Sequence, residues 1–363
     1  MRRFIIGFAA LALLASGVLA ACSSAATTAP TAAATQAATA APSAAAACSG
    51  KVFYLSPGLF DEFQAGSKIL LEKYGKEKGL DVRTLNANNN ATQQLAQLDD
   101  AIAQKPVAVV IAAVDTAQMA GNLKKLSDAG ILSIAYDRLI MDGKPDFTTS
   151  ADTTKMGKLG AEEIVRLLTE KNGSPKGTVL EQMGDLGDTY TLGIDQGFTD
   201  VIKGYPDIKV IRKDAAAWEP TVAARAVDDV LTANPNVDLL WVHSEGLAPA
   251  IVPVLEKHGF KAGDGKLIFM GASGLPVGLD LVRQGWMVET IDYPLSPEYV
   301  SSIDFICKKL AGEDVAPGTW EIGGYKNEVK DEKWGRTLWI PGEIITKANV
   351  DDPNLWGNIK IPS

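Results

Sequence analysis

From Lys51 onward the chain keeps one rhythm. Short apolar, β-branched runs at Val52–Leu55, Val82–Leu85, Val107–Ala112 and Ile131–Ala135 alternate with stretches of helical period at Phe63–Lys78, Ala91–Gln104 and Ala117–Ala129. Strands apolar on both sides, each followed by an amphipathic helix, call for a parallel sheet covered on both faces. The rhythm then repeats. Strands are predicted at Thr178–Glu181, Lys209–Ile211, Leu239–Val242, Leu267–Gly271 and Val288–Ile291, with helices at Leu192–Lys203, Val222–Ala233, Ala248–Lys257 and Val277–Gln284 between them. Two such units in series predict an α/β chain of two doubly wound parallel-sheet lobes, with crossings near 149–153 and 292–296.

The start of the chain reads differently. Arg2 and Arg3 precede an uncharged apolar run from Phe4 to Val18. The run is shorter than the roughly 20 residues of a membrane span, so it reads as a signal-peptide core behind a positive start. Leu19-Ala20-Ala21-Cys22 is similar to the bacterial lipobox, which makes Cys22 the expected lipidation site; the alternative is an ordinary secretory signal cleaved near Ala20. From Ser23 to Ala47 there is no charge, aromatic ring or large aliphatic side chain, and such a stretch cannot bury enough apolar area to offset its ordering entropy. The expected organisation is a signal peptide over 1–21 and a lipidated Cys with a disordered Ala/Thr/Pro spacer over 22–47. A first lobe follows from 48–150 with 294–325, and a second lobe with the hinge return from 151–293 with 326–363. The body is expected outside the cytoplasm in the cell envelope, held to the membrane by a lipid anchor only.

The chain carries 35 basic against 44 acidic residues, net −9. That balance repels nucleic acid and anionic lipid, so neither is an expected partner. With Cys22 lipidated, Cys48 and Cys307 remain. In an oxidising compartment they either pair or stand as two unrelated thiols. Only His243 and His258 are present, without carboxylates or Cys at ligand spacing, and no calcium loop of Asp-x-Asn-x-Asp form occurs; no metal and no cofactor are expected. A nucleophile elbow of Gly-x-Ser-x-Gly form is also missing, so an enzyme is not expected.

In open α/β sheets ligands sit outside the carboxyl ends of the strands. The residues just after the strands are Ser56-Pro57-Gly58-Leu59-Phe60, Asn86-Ala87-Asn88, Tyr136-Asp137-Arg138, Gln182 to Tyr190, Ala217-Trp218-Glu219, His243-Ser244-Glu245, Ala272-Ser273 and Asp292-Tyr293. Rings mixed with planar polar groups suit a sugar, whose hydroxyls take charged hydrogen bonds while its C–H face lies on an aromatic ring.

Four stretches carry a family resemblance: Phe60-x-x-Phe-x-x-Gly66, the segment from Ile131 through Tyr136-Asp137-Arg138 to Ile140, the run from Phe147 through Asp152 to Gly157, and the ending Val350 to Asn358. Together, behind a lipobox, they resemble the periplasmic sugar-binding proteins of ABC importers, of the ribose, xylose and galactose type. The resemblance runs from about Lys51 to Asn358. It implies a type I periplasmic binding protein whose lobes, joined by a multi-strand hinge, close on a monosaccharide and deliver it to an ABC permease and its ATPase subunit. A third crossing within Gly323–Trp339 is implied, and so is a monomer. The chain has no Gly-x-x-x-x-Gly-Lys loop of its own, which fits that division of labour. The same fold also serves as a sugar sensor presenting its ligand to a chemoreceptor or sensor kinase, and residue chemistry in the cleft does not separate the two.

Residue by residue, the resemblance makes Asp137 and Arg138 sugar ligands, a carboxylate and a planar guanidinium fork. Phe60 and Trp218 match the family's ring positions. Asp152 stands at the first crossing, either as a ligand contact or in a hinge-stabilising or helix-capping role. Asp188 fits the pentose-binding pattern, but Tyr190, His243-Ser244, Ser273 and Tyr293 stand where amides or carboxylates are usual. Tyr190, His243, Ser273 and Tyr293 therefore complete the expected ligand set, and the departures leave open a deoxy sugar, polyol or glycoside beside an ordinary pentose or hexose.

Overall fold

The computed structural model describes residues 48–59 and 62–359. The leader, Cys22, the spacer and Phe60 lie outside the described residues. The first half runs β1 (Gly50–Ser56), α1 (Glu62–Lys78), β2 (Leu80–Asn86), α2 (Ala91–Ala103), β3 (Ala108–Ile111), α3 (Thr116–Ala120), α4 (Leu123–Asp128), β4 (Leu132–Tyr136) and β5 (Phe147–Ala151). The second runs α5 (Thr153–Asn172), β6 (Gly177–Gln182), α6 (Thr189–Ile202), β7 (Ile208–Lys213), α7 (Pro220–Ala233), β8 (Leu239–Val242), α8 (Ala248–Lys257), β9 (Ile268–Ser273), α9 (Pro276–Gln284) and β10 (Glu289–Asp292). The chain closes with α10 (Leu295–Leu310), β11 (Gly318–Ile322), β12 (Tyr325–Glu332), β13 (Gly335–Ile340) and β14 (Ile344–Thr346).

Two sheets result, an eight-stranded one in the order β11-β12-β13-β5-β4-β3-β1-β2 and a six-stranded one in the order β14-β10-β9-β8-β6-β7. From β13 to β2 and from β10 to β7 every pairing is parallel. The central strands β3, β8 and β9 are buried along their whole length, as parallel strands sandwiched by helices must be. The stretch expected as one helix over Ala117–Ala129 is two short ones. Asp115 caps α3 through the Gln118 amide, and Gly121-Asn122, both poor helix formers, part it from α4.

Among the described residues three strands of chain link the lobes. Two lie where the rhythm breaks, from β5 into α5 and from β10 into α10. The third, expected within Gly323–Trp339, instead lies at Pro341-Gly342-Glu343 between β13 and β14. A side chain has no room at its middle residue: a Cβ on Gly342 would come within 2.7 Å of Met156 and 3.0 Å of Ile291. The assignment of 326–340 to the second lobe is corrected as well. β12 pairs with β11 through a glycine turn at Gly323-Gly324, with φ of 61° and 88°, the mirror-image hairpin turn that needs positive φ at both positions. β13 then runs parallel beside β5 in the first sheet.

Cys48 and Cys307 are joined in a disulfide, with their Cα atoms 4.9 Å apart. The bond ties the residues before β1 to the last turns of α10, which packs against α1.

Candidate ligand-binding cleft

The carboxyl ends of the two sheets' strands face each other across a cavity of about 50 Å³. By the measure under which a cavity of about 150 Å³ holds benzene, that space is smaller than a monosaccharide, and side chains across it already pair with one another, Arg138 with Asp188 at 3.0 Å. Phe63, Gln64, Asp137 and Arg138 line it from the first lobe, and Asp188, Tyr190, Trp218, Ser244 and Ser273 from the second, with Tyr293 at the hinge.

The first wall is a buried polar network. Asp137 takes a positive φ of 65° where β4 ends, and it lines the cavity together with Arg138. Tyr54 donates to Gln64 Oε1 at 2.7 Å, and Gln64 Nε2 donates to Asp137 Oδ2 at 3.0 Å. Glu298 Oε1 accepts from the Asp137 amide at 2.9 Å and from the Tyr293 hydroxyl at 2.6 Å. Burial first, and then the Asp137 charge, holds Glu298 well above the usual carboxylate range. Arg138 is anchored by donating from Nη1 to the Ala113 carbonyl at 2.7 Å. Its Nε lies 3.0 Å from Asp188 Oδ2 and 3.6 Å from Asp137 Oδ2, so one guanidinium bridges carboxylates of both lobes.

Rings dominate the second wall. Asp188 caps α6 by accepting from the Tyr190 amide at 2.9 Å, and its other oxygen accepts from Trp218 Nε1 at 3.1 Å. Ala217 and Trp218 both sit in the left-handed region, at φ of 58° and 57°, a strain that persists only where the surroundings enforce it. The Asp185 carboxylate holds the Ala217 amide, while Asn89 of the first lobe donates to the Ala217 carbonyl at 2.7 Å. Gly184 leaves the indole its place, since a Cβ there would fall 2.0 Å from the ring. Tyr190 stacks on Tyr293 at 5.8 Å between centroids and shares a 2.9 Å hydrogen bond with Ser273. Ser273, at φ 115°, begins a loop held from below by buried Glu245, whose carboxyl accepts from the Gly274 and Leu275 amides and from the Thr290 hydroxyl. Burial pushes Glu245 up to about 8.

Carboxylates, a guanidinium, an amide and hydroxyls set among rings match a neutral, polyhydroxylated molecule. Among the described residues no cluster of three or more His, Cys, Asp or Glu is placed to hold a metal ion. Residues 52–314 match the profile of the periplasmic binding protein domain family.

The chain belongs to the periplasmic binding protein family. These are solute-binding proteins and not enzymes, in line with the expectation from the sequence. Within the family it is similar to the D-xylose-binding periplasmic protein of Escherichia coli, 23% identical over 300 residues that cover 81% of this chain and 84% of the relative. The multiple sugar-binding periplasmic receptor ChvE of Rhizobium radiobacter is 26% identical over 304 residues, covering 80% and 82%. The fold is shared with a carbohydrate transporter solute-binding protein of Agrobacterium radiobacter in complex with D-arabinose, at a TM-score of 0.72 and 18% identity over 86% of this chain and 99% of that one.

Of the residues expected to bind in this member of the family, Asp137, Arg138, Asp188, Tyr190, Trp218, Ser273 and Tyr293 meet around the cavity. Two do not. His243 is fully buried, its Nε2 3.1 Å from Glu181 and its ring against Trp241. At a strand end successive side chains point to opposite faces, so Ser244 takes the cleft position. Asp152 caps α5 by accepting from the Lys155 amide and pairs with the Lys155 ammonium at 2.9 Å; of its two expected roles the structure gives the cap. Sequence reasoning left Phe63, Gln64 and Ser244 out of the ligand set, although Phe63 stands in the Phe60-x-x-Phe-x-x-Gly66 stretch and Ser244 beside His243. The signal for the first two was position, the opening turn of a helix that follows a strand straight into the cleft.

Proposed function

We propose that this chain captures a monosaccharide or polyol between its lobes outside the cytoplasm and hands it to an ABC permease. The observation that carries the reading is the bridge of Arg138 to Asp137 and Asp188, one charge from each lobe beside the first, ringed by Phe63, Tyr190, Trp218 and Tyr293. A bound sugar would exchange its hydroxyls for these partners, and closure would be favoured by as much as it prefers the closed state. The relatives' names, a D-xylose-binding protein and a multiple sugar-binding receptor, support the solute class. Anchoring through Cys22 rests on the lipobox-like sequence alone.

The test is a melting-temperature screen against pentoses, hexoses, deoxy sugars and polyols. A true ligand at 100 times its Kd adds about 2.7 kcal/mol of stability. A panel without any shift would refute the reading. Delivery is tested by labelled-sugar uptake, which should fall to background in cells lacking the chain and return when it is restored.

A further inference from the structure

A second cavity adjoins the cleft. It measures about 260 Å³, several times the inner one, and the two share Trp218 and Ser244 as lining residues. Its chemistry is the opposite of the inner cavity's. Pro220, Leu247, Pro249 and Val277 furnish most of its remaining wall, and none of their side chains donates or accepts a hydrogen bond.

Three helices, α7, α8 and α9, begin at this chamber. Free helix N-termini attract anions, but each of these has proline at its first or second position, which removes a donor. At α9 the amide next after the proline, that of Val277, already donates to Glu62 Oε2 at 3.3 Å. Glu62 reaches over from the first lobe and sets a negative charge on the rim. An anionic group is therefore disfavoured, and an uncharged apolar one is favoured. Size agrees, because an apolar cavity of about 150 Å³ is enough to hold benzene.

Resting on the sugar-binding reading of the inner cleft, we propose that the outer chamber is a subsite for the neutral, ring-bearing aglycone of a glycoside. The sugar would lie among Asp137, Arg138 and Asp188. Its substituent would pass Trp218 and Ser244 into the chamber, with the indole serving both parts of the ligand.

Titration calorimetry of the whole chain tests this with D-xylose, D-ribose and D-arabinose, the phenyl glycoside of each, and the 1-phosphate of each. The expected result is a phenyl glycoside that binds at least tenfold more tightly than its parent sugar. In Leu247→Trp, which fills the chamber, the ratio of the two affinities should fall to near one. Val277→Phe serves the same purpose if circular dichroism shows that Leu247→Trp is unfolded. A parent sugar that binds as well as its phenyl glycoside, or better, overturns the subsite and leaves the proposed function standing. A 1-phosphate that outbinds the phenyl glycoside also overturns it, by showing that the helix N-termini govern the chamber. If neither sugars nor glycosides bind, the subsite falls together with the reading it rests on.

Discussion

The first-lobe wall of the cleft is one connected network of side-chain hydrogen bonds, while on the second-lobe wall each ring has its own single bond, Trp218 to Asp188 and Tyr190 to Ser273, beside a backbone held at positive φ. Tyr54, Gln64, Asp137, Tyr293 and Glu298 form an unbroken buried chain, so a change at one member is felt by all. Trp218 and Ser273 depend instead on positive φ angles and on the space beside Gly184. The first arrangement fixes charge geometry at a high cost for any defect. In the second, a changed ring disturbs one hydrogen bond and not a network, which makes it the wall on which ligand preference can change with the smaller consequence.

The largest break should come from Arg138→Ala. Asp137 and Asp188 would then lie buried without their shared cation, a loss of about 3–5 kcal/mol in stability, readable by urea unfolding, and ligand affinity should drop a hundredfold or more. Trp218→Ala should act on the other wall alone. About tenfold in affinity, or about 1.4 kcal/mol, is expected in calorimetry, with a fall in melting temperature smaller than that of Arg138→Ala, since a partly buried indole leaves the core it packs on and Asp188 loses one donor.

A finer test is pH. Burial pushes Glu245 up to about 8 and Asp292 up to about 7, so the folded chain keeps protons that the unfolded chain releases near pH 4. Their contribution to stability is complete below about pH 4 and is lost as the pH rises through 7 to 8. Asp200, Asp228 and Asp264 are shifted downward but are solvated, and their opposite pull is weak. The melting temperature should therefore fall between pH 5 and 8. Glu245→Gln should flatten that slope and, by loosening the Ser273 loop, weaken binding about threefold, roughly 0.6 kcal/mol. A slope unchanged in the variant would remove Glu245 from the account. Smallest for the ligand is His243→Ala, which should leave affinity within about twofold while costing about 1–3 kcal/mol of stability, because Glu181 loses a buried partner. A tenfold loss of affinity would instead return His243 to the cleft.

Sequence and structure part company for physical reasons. β8 and α8 are where the periodicity puts them, since an apolar run and a helical stripe each have one solution. β12 escaped notice because its outward face is charged, Lys326, Glu328 and Lys330 alternating with buried Tyr325, Asn327 and Val329. No apolar run marks such a strand. In the cleft, Asp137 and Arg138 were legible because one loop carries both. The choice between His243 and Ser244 was not, since slipping a strand end by one residue reverses which side chain faces the ligand.

The bond between Cys48 and Cys307 spans a sequence separation of 259 residues, and strands β1 to β10, drawn from both lobes, lie between its ends. Most of the body is thus one closed covalent ring. Lys261 and Lys266 stand on an exposed loop inside it. A protease that cuts there opens the backbone without freeing either piece, and the nicked protein should run as a single species until it is reduced. For a protein working outside the cell's own repair machinery, one cut need not mean the loss of either lobe.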